Sequence, residues 1–107
     1  MNKKIIIEYN DEKYTLEYNR SSVVKMESNN FKLDDINNKP IEMITKLFDG
    51  AFYMHHPNIR EDIKQEIYEQ IPNKDQFIIK LSEMYSDTLT TLLGDSSEGK
   101  AKWEVNW

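Results

Sequence analysis

Hydrophobic and polar residues alternate along the first part of the chain. Six apolar residues recur at every second position of two short runs: Ile5, Ile7, Tyr9, Tyr14, Leu16 and Tyr18. Between the runs, residues 10–13 are turn formers. This period-2 pattern predicts a β-hairpin with one apolar face. Because an isolated hairpin is marginally stable in water, the rest of the chain must cover that face.

After the hairpin the apolar spacing becomes helical. A first short helix is predicted after residues 19–22, which are rich in N-cap formers, and it ends near residues 29–30. A second begins at Pro40, carries a wide apolar stripe and ends at Pro57. Its internal Gly50 predicts close approach of another element. Three apolar residues of the loop between these helices are expected to pack into the core: Phe31, Leu33 and Ile36.

Two further helices are predicted in the second half of the chain. The third has Asn58 as its N-cap with Glu61 as a capping acid, and Pro72 stops it. Its narrow apolar stripe consists of Ile59, Ile63, Ile67 and Ile71. The fourth opens at residues 73–76 with the same capping logic and ends at Gly94. Its apolar residues are Phe77, Ile78, Leu81, Met84, Tyr85, Leu89 and Leu92.

These patterns predict one α+β domain over residues 1–95, with an N-terminal two-stranded antiparallel hairpin packed on a body of about four helices. Residues 96–107 follow as a flexible tail or an added strand. In this tail Trp103, Val105 and Trp107 alternate as in a strand. One alternative is a short C-terminal strand beside the hairpin, and the other is a pair of tryptophan anchors for a partner protein.

Composition narrows the class of function. The chain has 107 residues, no cysteine, a net charge of −5 and a pI near 5.0. An acidic chain poor in arginine does not suit the phosphate backbone of nucleic acids. Only three consecutive apolar residues, 5–7, follow the lysines before Glu8, so no signal peptide is expected. No segment approaches the roughly 18 apolar residues of a membrane span, so none is expected either. Without cysteine there is no disulfide and no thiolate chemistry, which fits a reducing compartment.

Candidate chemistry is sparse. Adjacent helical residues point about 100° apart, so His55 and His56 cannot easily hold one metal together. We expect one to pack at a helix end and the other to be solvated; a metal-dependent enzyme using both with Asp62 is the alternative. Paired acids are explained by helix capping, and no nucleophile elbow or glycine-rich phosphate loop is present. No catalytic, cofactor or metal site is therefore predicted. The predicted partner-binding residues are Trp103, Val105, Trp107, Ile6 and Glu8.

Three stretches of the chain resemble a known group of proteins. They read YTLEYNRSSVVKME, PIEMITKLFDGAFYMHHPN and IYEQIPNKDQFIIKLSEMYSDTLTTLL. In these stretches the chain resembles small phage and prophage proteins of Gram-positive bacteria that are related to the tail assembly chaperones of long-tailed phages. Residues 71–74 match the joint before the last helix, whereas residues 20–23 depart slightly from the helix start of that group.

The resemblance implies a function without turnover. Such chaperones bind and solubilise the tape measure protein during tail morphogenesis in the host cytoplasm, and they are absent from the mature virion. It further implies self-association and the major tail protein as an additional partner. A small adaptor or regulatory domain of phage origin, binding one folded protein, is the alternative. Neither reading requires a cofactor, a membrane or nucleic acid.

Overall fold

The observed architecture is a hairpin followed by helices, and it confirms the predicted α+β class. The structure is a computed structural model that describes residues 3–95 and 98–107. Its strands are β1 (Ile5–Tyr9) and β2 (Glu12–Leu16), and its helices are α1 (Arg20–Ser28), α2 (Pro40–Phe52), α3 (Glu61–Gln70) and α4 (Lys74–Leu93). A short 3-10 helix, Leu33–Asp35, lies between α1 and α2. In the described part of the chain, no helix is long and apolar enough to span a membrane.

The hairpin turn is tighter than the sequence suggested. Only Asn10 and Asp11 form it, with φ angles of 52° and 65°. Two successive residues with positive φ are typical of a type I′ turn, whose twist matches that of the flanking strands. The resulting register pairs Tyr9 with Glu12 and Ile6 with Thr15. Glu12 and Lys13, predicted as turn residues, therefore belong to β2.

The hairpin is attached to α2, the most buried helix. Leu16 is fully buried, and Phe31 from the following loop joins the same core as predicted. The N–H of Glu17 donates to the Ala51 carbonyl at 3.0 Å. Five residues of α2 are buried beneath it: Met43, Leu47, Phe48, Ala51 and Phe52. A hairpin that is marginal alone is thus stabilised by apolar burial and by backbone hydrogen bonds to a helix.

The helix starts agree with the sequence only in part. At α1 the Asn19 side chain accepts from the Ser22 N–H, and the Ser22 hydroxyl oxygen accepts from the Asn19 N–H, each at 2.8 Å. The prediction of Asn58 as the N-cap of α3 is wrong, because that helix begins after Arg60. The expected side-chain cap of α4 is absent too: Asn73 is left-handed, with φ 54°, and its side chain makes no capping bond. Its conformation rather than its side chain turns the chain into α4.

Helix α2 ends at Phe52, five residues before the predicted stop at Pro57. The Tyr53 N–H donates to the Gly50 carbonyl, and the His56 N–H donates to the Phe52 carbonyl, so a turn replaces the last predicted helical turn. Gly50 lies close to α1, as predicted, because a Cβ at this position would overlap the Sδ and Cγ atoms of Met26.

The tail does not form the added strand. The sheet holds only β1 and β2 within the described residues, and residues 98–107 have no regular secondary structure. The alternative of a short C-terminal strand on the same chain is therefore wrong for residues 98–107. Within the described residues they pair with neither β1 nor β2, so no strand ladder offsets the conformational freedom that ordering a terminal segment costs. Ser96 and Ser97, the start of the predicted tail, lie outside the described residues.

Candidate binding surfaces

Both histidines form hydrogen bonds with residues of β2 or of the position directly after it. They lie on the turn that follows α2, and His55 Nε2 is 2.8 Å from Oε1 of the buried Glu17. The His56 Nε2 accepts from the Thr15 N–H at 3.0 Å. The predicted difference between the two imidazoles is present, since His56 is half-buried and His55 exposed, but each also has a partner across the hairpin junction. Sequence reasoning missed Glu17 because it lies between apolar Leu16 and Tyr18 and reads as an ordinary polar alternation.

The structure does not bring the histidines together with Asp62. Asp62 instead accepts from Arg60, with Nη2 and Oδ2 2.5 Å apart. The Arg60 hydrogen bond lowers the pKa of the Asp62 carboxyl from its usual value. Among residues 3–95 and 98–107, no group of three or more His, Cys, Asp or Glu side chains could hold a metal ion. The histidines therefore serve as tethers between β2 and the end of α2.

The His56 tether makes stability depend on pH. Burial, and then the neighbouring His55, lowers the pKa of His56 from 6.5. The unfolded chain therefore binds more protons than the folded one below that value, and the free energy of unfolding falls as pH drops from 6.5 through the folded pKa. Denaturant titrations between pH 7.5 and pH 5 are expected to show this decline. His56→Gln keeps an acceptor for Thr15 but cannot titrate, so an equally steep decline in that variant would contradict the assignment.

A cleft of about 570 Å³ opens beside His56 between α1, α2 and α3. Three lysines line it, and each has a partner. Lys25 Nζ lies 4.3 Å from the Tyr53 ring centroid, and Lys46 donates to the Asn29 carbonyl at 2.6 Å. Lys64 is buried and lies 2.7 Å from a Glu61 oxygen. Since these cations are already satisfied, the cleft offers no ready site for an anion.

Accessible apolar side chains lie on the amino-terminal half of α2 and on the facing side of α4. We call Ile41, Ile44 and Ile79 the isoleucine surface. Ile41 is 82% exposed and Ile79 is 50% exposed. Ile44 lines two grooves, one of about 300 Å³ against α3 and one of about 560 Å³ against α4. Scattered apolar residues on a surface are ordinary, but here Ile41 lines the first groove and Ile79 the second, with Ile44 common to both. Apolar residues that line concave grooves mark a candidate interaction site.

Sequence reasoning missed this surface. Ile41 and Ile44 have the correct helical phase for the buried stripe of α2, and the pattern assigned them to the core. Periodicity identifies the apolar face of a helix, but not how far along the helix its neighbours extend. Here the packing of α2 is deepest from Leu47 to Phe52. In its first turns Met43 is buried, but Ile41 remains exposed and Ile44 is half-buried. Phe48 and Tyr68 line the floor of the groove against α3.

The five predicted binding residues are all accessible, but they are not in one place. Trp103 is 86% exposed, Val105 52% and Trp107 101%. On the outer face of β1, Ile6 is 56% exposed and Glu8 is exposed as well. The tail does not pair with the hairpin in the described part of the chain. The structure thus leaves two separate accessible features, the tail and the outer face of β1.

A protein-family model described as Domain of unknown function (DUF5055) matches residues 1–107, the full length of the chain. The chain belongs to the DUF5055 family. No curated protein sequence and no solved structure matches this DUF5055 protein. The family description names no activity or partner, so the function of this DUF5055 protein is argued from its surfaces.

Proposed function

We propose that this DUF5055 protein is a non-catalytic assembly chaperone that binds and solubilises the tape measure protein of a long-tailed phage during tail morphogenesis. It acts in the host cytoplasm, leaves before the virion matures, and meets the major tail protein as the tube forms around the tape measure. The exposed isoleucine surface is the observation that carries the proposal. The sequence resemblance to tail assembly chaperones supports the choice of client.

The grooves beside Ile44 suit a helical client. A tape measure protein is long and helix-rich, and an amphipathic helix binds by placing apolar residues at one or two per turn into a hydrophobic groove. Between α2 and α3, Phe48 and Tyr68 supply an apolar floor, and Gln65 and Glu69 stand at the rim. Ile41, at the end of this groove, gives the helix an exposed aliphatic contact. Such a site covers the apolar stripe through which the free client would aggregate.

Charge supports solubilisation. The chain carries a net charge of −5, so each bound copy adds negative charge to the complex. Complexes of like charge repel each other and remain dispersed. The groove against α4 is bordered by Glu83 and Asp87, which keeps acidic groups next to the apolar contact. A coat of the same size without net charge would not provide this repulsion.

The test is co-expression with the tape measure protein of the same phage or prophage. Ile41→Lys combined with Ile79→Lys is expected to lower the soluble fraction of the client severalfold, because each lost anchor costs about 1–2 kcal/mol of binding, roughly tenfold in affinity. Both residues are exposed, so the variant should fold. The measurement is the soluble client fraction after centrifugation, together with the circular dichroism of the purified variant.

Val24→Lys is the matched control. Val24 is 55% exposed on α1, away from the grooves, so the same change of chemistry should leave client solubility unchanged. If wild-type protein does not raise the solubility of the client at all, the proposal is wrong. If the control lowers solubility as much as the double substitution, the isoleucine surface is not the binding site.

A small adaptor that binds one folded protein is the second candidate. The observation that favours it is the bounded size of the α2–α3 groove, about 300 Å³, which accommodates a short helical segment. Mass measurement of the complex separates the two functions. Many copies on one client support the chaperone, whereas a single copy on a folded protein supports the adaptor.

A further inference from the structure

The outer edge of β1 has unpaired backbone groups. In antiparallel strands, pairs that exchange hydrogen bonds alternate with pairs whose N–H and C=O groups point away from the partner strand. Thr15 donates its N–H outward to His56, so the Ile6–Thr15 pair is of the second kind. The N–H and C=O of Ile6, and by the same alternation of Lys4 and Glu8, therefore face away from β2. No strand covers this edge within the described residues.

The tail has the properties of a strand without a neighbour. Residues 103–107 alternate between large apolar and polar side chains, and they equal β1, with its 5 residues, in length. The body leaves them uncovered, since Trp103 is 86% exposed, Val105 52% and Trp107 101%. They pair with neither strand of their own chain within the described residues.

We propose that residues 103–107 of one copy add to the β1 edge of a second copy as an antiparallel third strand. In the register that fits, Trp103 lies opposite Glu8, Val105 opposite Ile6 and Trp107 opposite Lys4. The outward backbone groups of β1 are then paired, and the exposed Ile6 side chain packs between the apolar residues of the incoming strand.

Charge selects the antiparallel direction. The turn end of the hairpin is acidic, because its three exposed acids, Glu8, Asp11 and Glu12, outnumber the one exposed lysine there, Lys13, which lies opposite Glu8. An antiparallel strand places Lys100 and Lys102 beside this end. A parallel strand would instead place these lysines beside Lys3 and Lys4, where like charges repel. Lys100 is paired with Glu98 at 3.2 Å, but both side chains are largely exposed, so this contact is easily exchanged.

Charge also disfavours a register that would turn the tryptophans to the inner face. If Trp103 lay opposite Tyr9 and Val105 opposite Ile7, Glu104 would stand directly opposite Glu8. Two carboxylates opposite each other destabilise a strand pair. The register with Val105 opposite Ile6 avoids this contact.

The contact is head-to-tail, because the edge of one copy binds the tail of another. Each added copy presents a new free edge or a new free tail, so the assembly is an open array rather than a closed dimer. The interface is a single short strand, well below the roughly 1,200 Å² of stable complexes, and association is therefore weak and depends on concentration. This self-association rests on and deepens the proposed function, since a client coated along its length requires copies that contact each other. The association itself requires no client.

The experiment uses two full-length variants. Ile6→Pro removes the outward N–H of the edge and leaves the β1–β2 ladder intact, because that N–H takes no part in it. Val105→Pro removes the matching donor of the tail. The average mass of the wild type, measured by light scattering, is expected to rise over a series of protein concentrations up to about 1 mM, while each variant alone remains monomeric. An equimolar mixture of the variants should form dimers and no larger species, because it holds one usable edge and one usable tail.

Several outcomes overturn the proposal. The proposal is overturned if the wild type stays monomeric at every concentration. It is also overturned if the mixture of the two variants stays monomeric. Blue-shifted tryptophan emission that is independent of concentration would mean that the tail binds its own chain, since the two tryptophans both lie in the tail. Val24→Lys, the control of matched exposure, must associate like the wild type. Because no client is present, failure here is distinct from failure of the chaperone proposal.

A second pair of variants guards against misfolding of Ile6→Pro. Lys100→Glu with Lys102→Glu leaves the backbone and the hairpin untouched and is expected to weaken association severalfold. Adding Glu8→Lys and Glu12→Lys to the same chain should restore association, because every tail and every edge then carries the reversed charge. If the reversal has no effect at low salt, the antiparallel register is wrong.

Discussion

Replacing Phe52 by alanine is expected to lower the free energy of unfolding by about 3–5 kcal/mol, the usual cost of removing a buried phenylalanine. Phe52 is 1% exposed, and its ring centroid lies 5.0 Å from that of Phe48 and 6.1 Å from that of Tyr14. One side chain therefore joins the hairpin to α2. Since small domains are stable by about 5–15 kcal/mol, this loss removes a large share of the total. Urea titration should show a lower midpoint with an unchanged slope.

Tyr53→Ala is the neighbouring control for Phe52→Ala. Its ring is only half-buried and supports Lys25 through a cation–π contact, so its removal is expected to cost about 1 kcal/mol. Equal losses in the two variants would contradict the assignment of Phe52 as the junction between hairpin and helix.

Replacing Leu16 by alanine is expected to cost about 2–5 kcal/mol. Leu16 is the fully buried residue of β2, and its removal leaves a cavity where the hairpin meets the core. Because an isolated hairpin is marginal, we expect the hairpin and the helices to unfold in one transition rather than separately. Amide hydrogen exchange of Ile7 and Tyr14, compared with the helical signal in circular dichroism, measures this coupling.

Leu93→Ala is the matched control for Leu16→Ala. Leu93 is 84% exposed at the end of α4, so the same chemical change should alter stability by less than about 0.5 kcal/mol. A hairpin that loses protection while the helices stay intact would show that the two parts do not form one cooperative unit.

Local signals predicted much of the fold. The alternation from Ile5 to Tyr18 predicted the hairpin, and the N-cap formers at residues 19–22 predicted a helix start there, because a strand period and a helix cap depend on residues close in sequence. Gly50 predicted a close approach, which Met26 of α1 makes. The start of α3 was predicted less well, because that helix begins after Arg60 and not after Asn58. The position of the α4 start was predicted, but the left-handed backbone of Asn73 leaves its side chain without a capping bond.

The candidate surfaces were predicted unevenly. Trp103 and Trp107 were identified from sequence because they follow a polar segment and have no helical phase that would bury them. The isoleucine surface was not, since Ile41 has the same periodicity as buried Leu47 and Phe48. The partners of the histidines were missed for a related reason: Glu17 and His55 are 38 positions apart, and no local pattern links them.

By itself the sequence determined the class of the protein: a hairpin, four helical segments, an acidic surface and an alternating tail, all of which follow from side-chain periodicity, charge and capping. Only the tertiary structure decided which apolar residues remain accessible, which strand edge is unpaired and which polar groups join the hairpin to α2. Burial and pairing are properties of the distances between elements, and those distances are set by packing that adjacent residues do not encode.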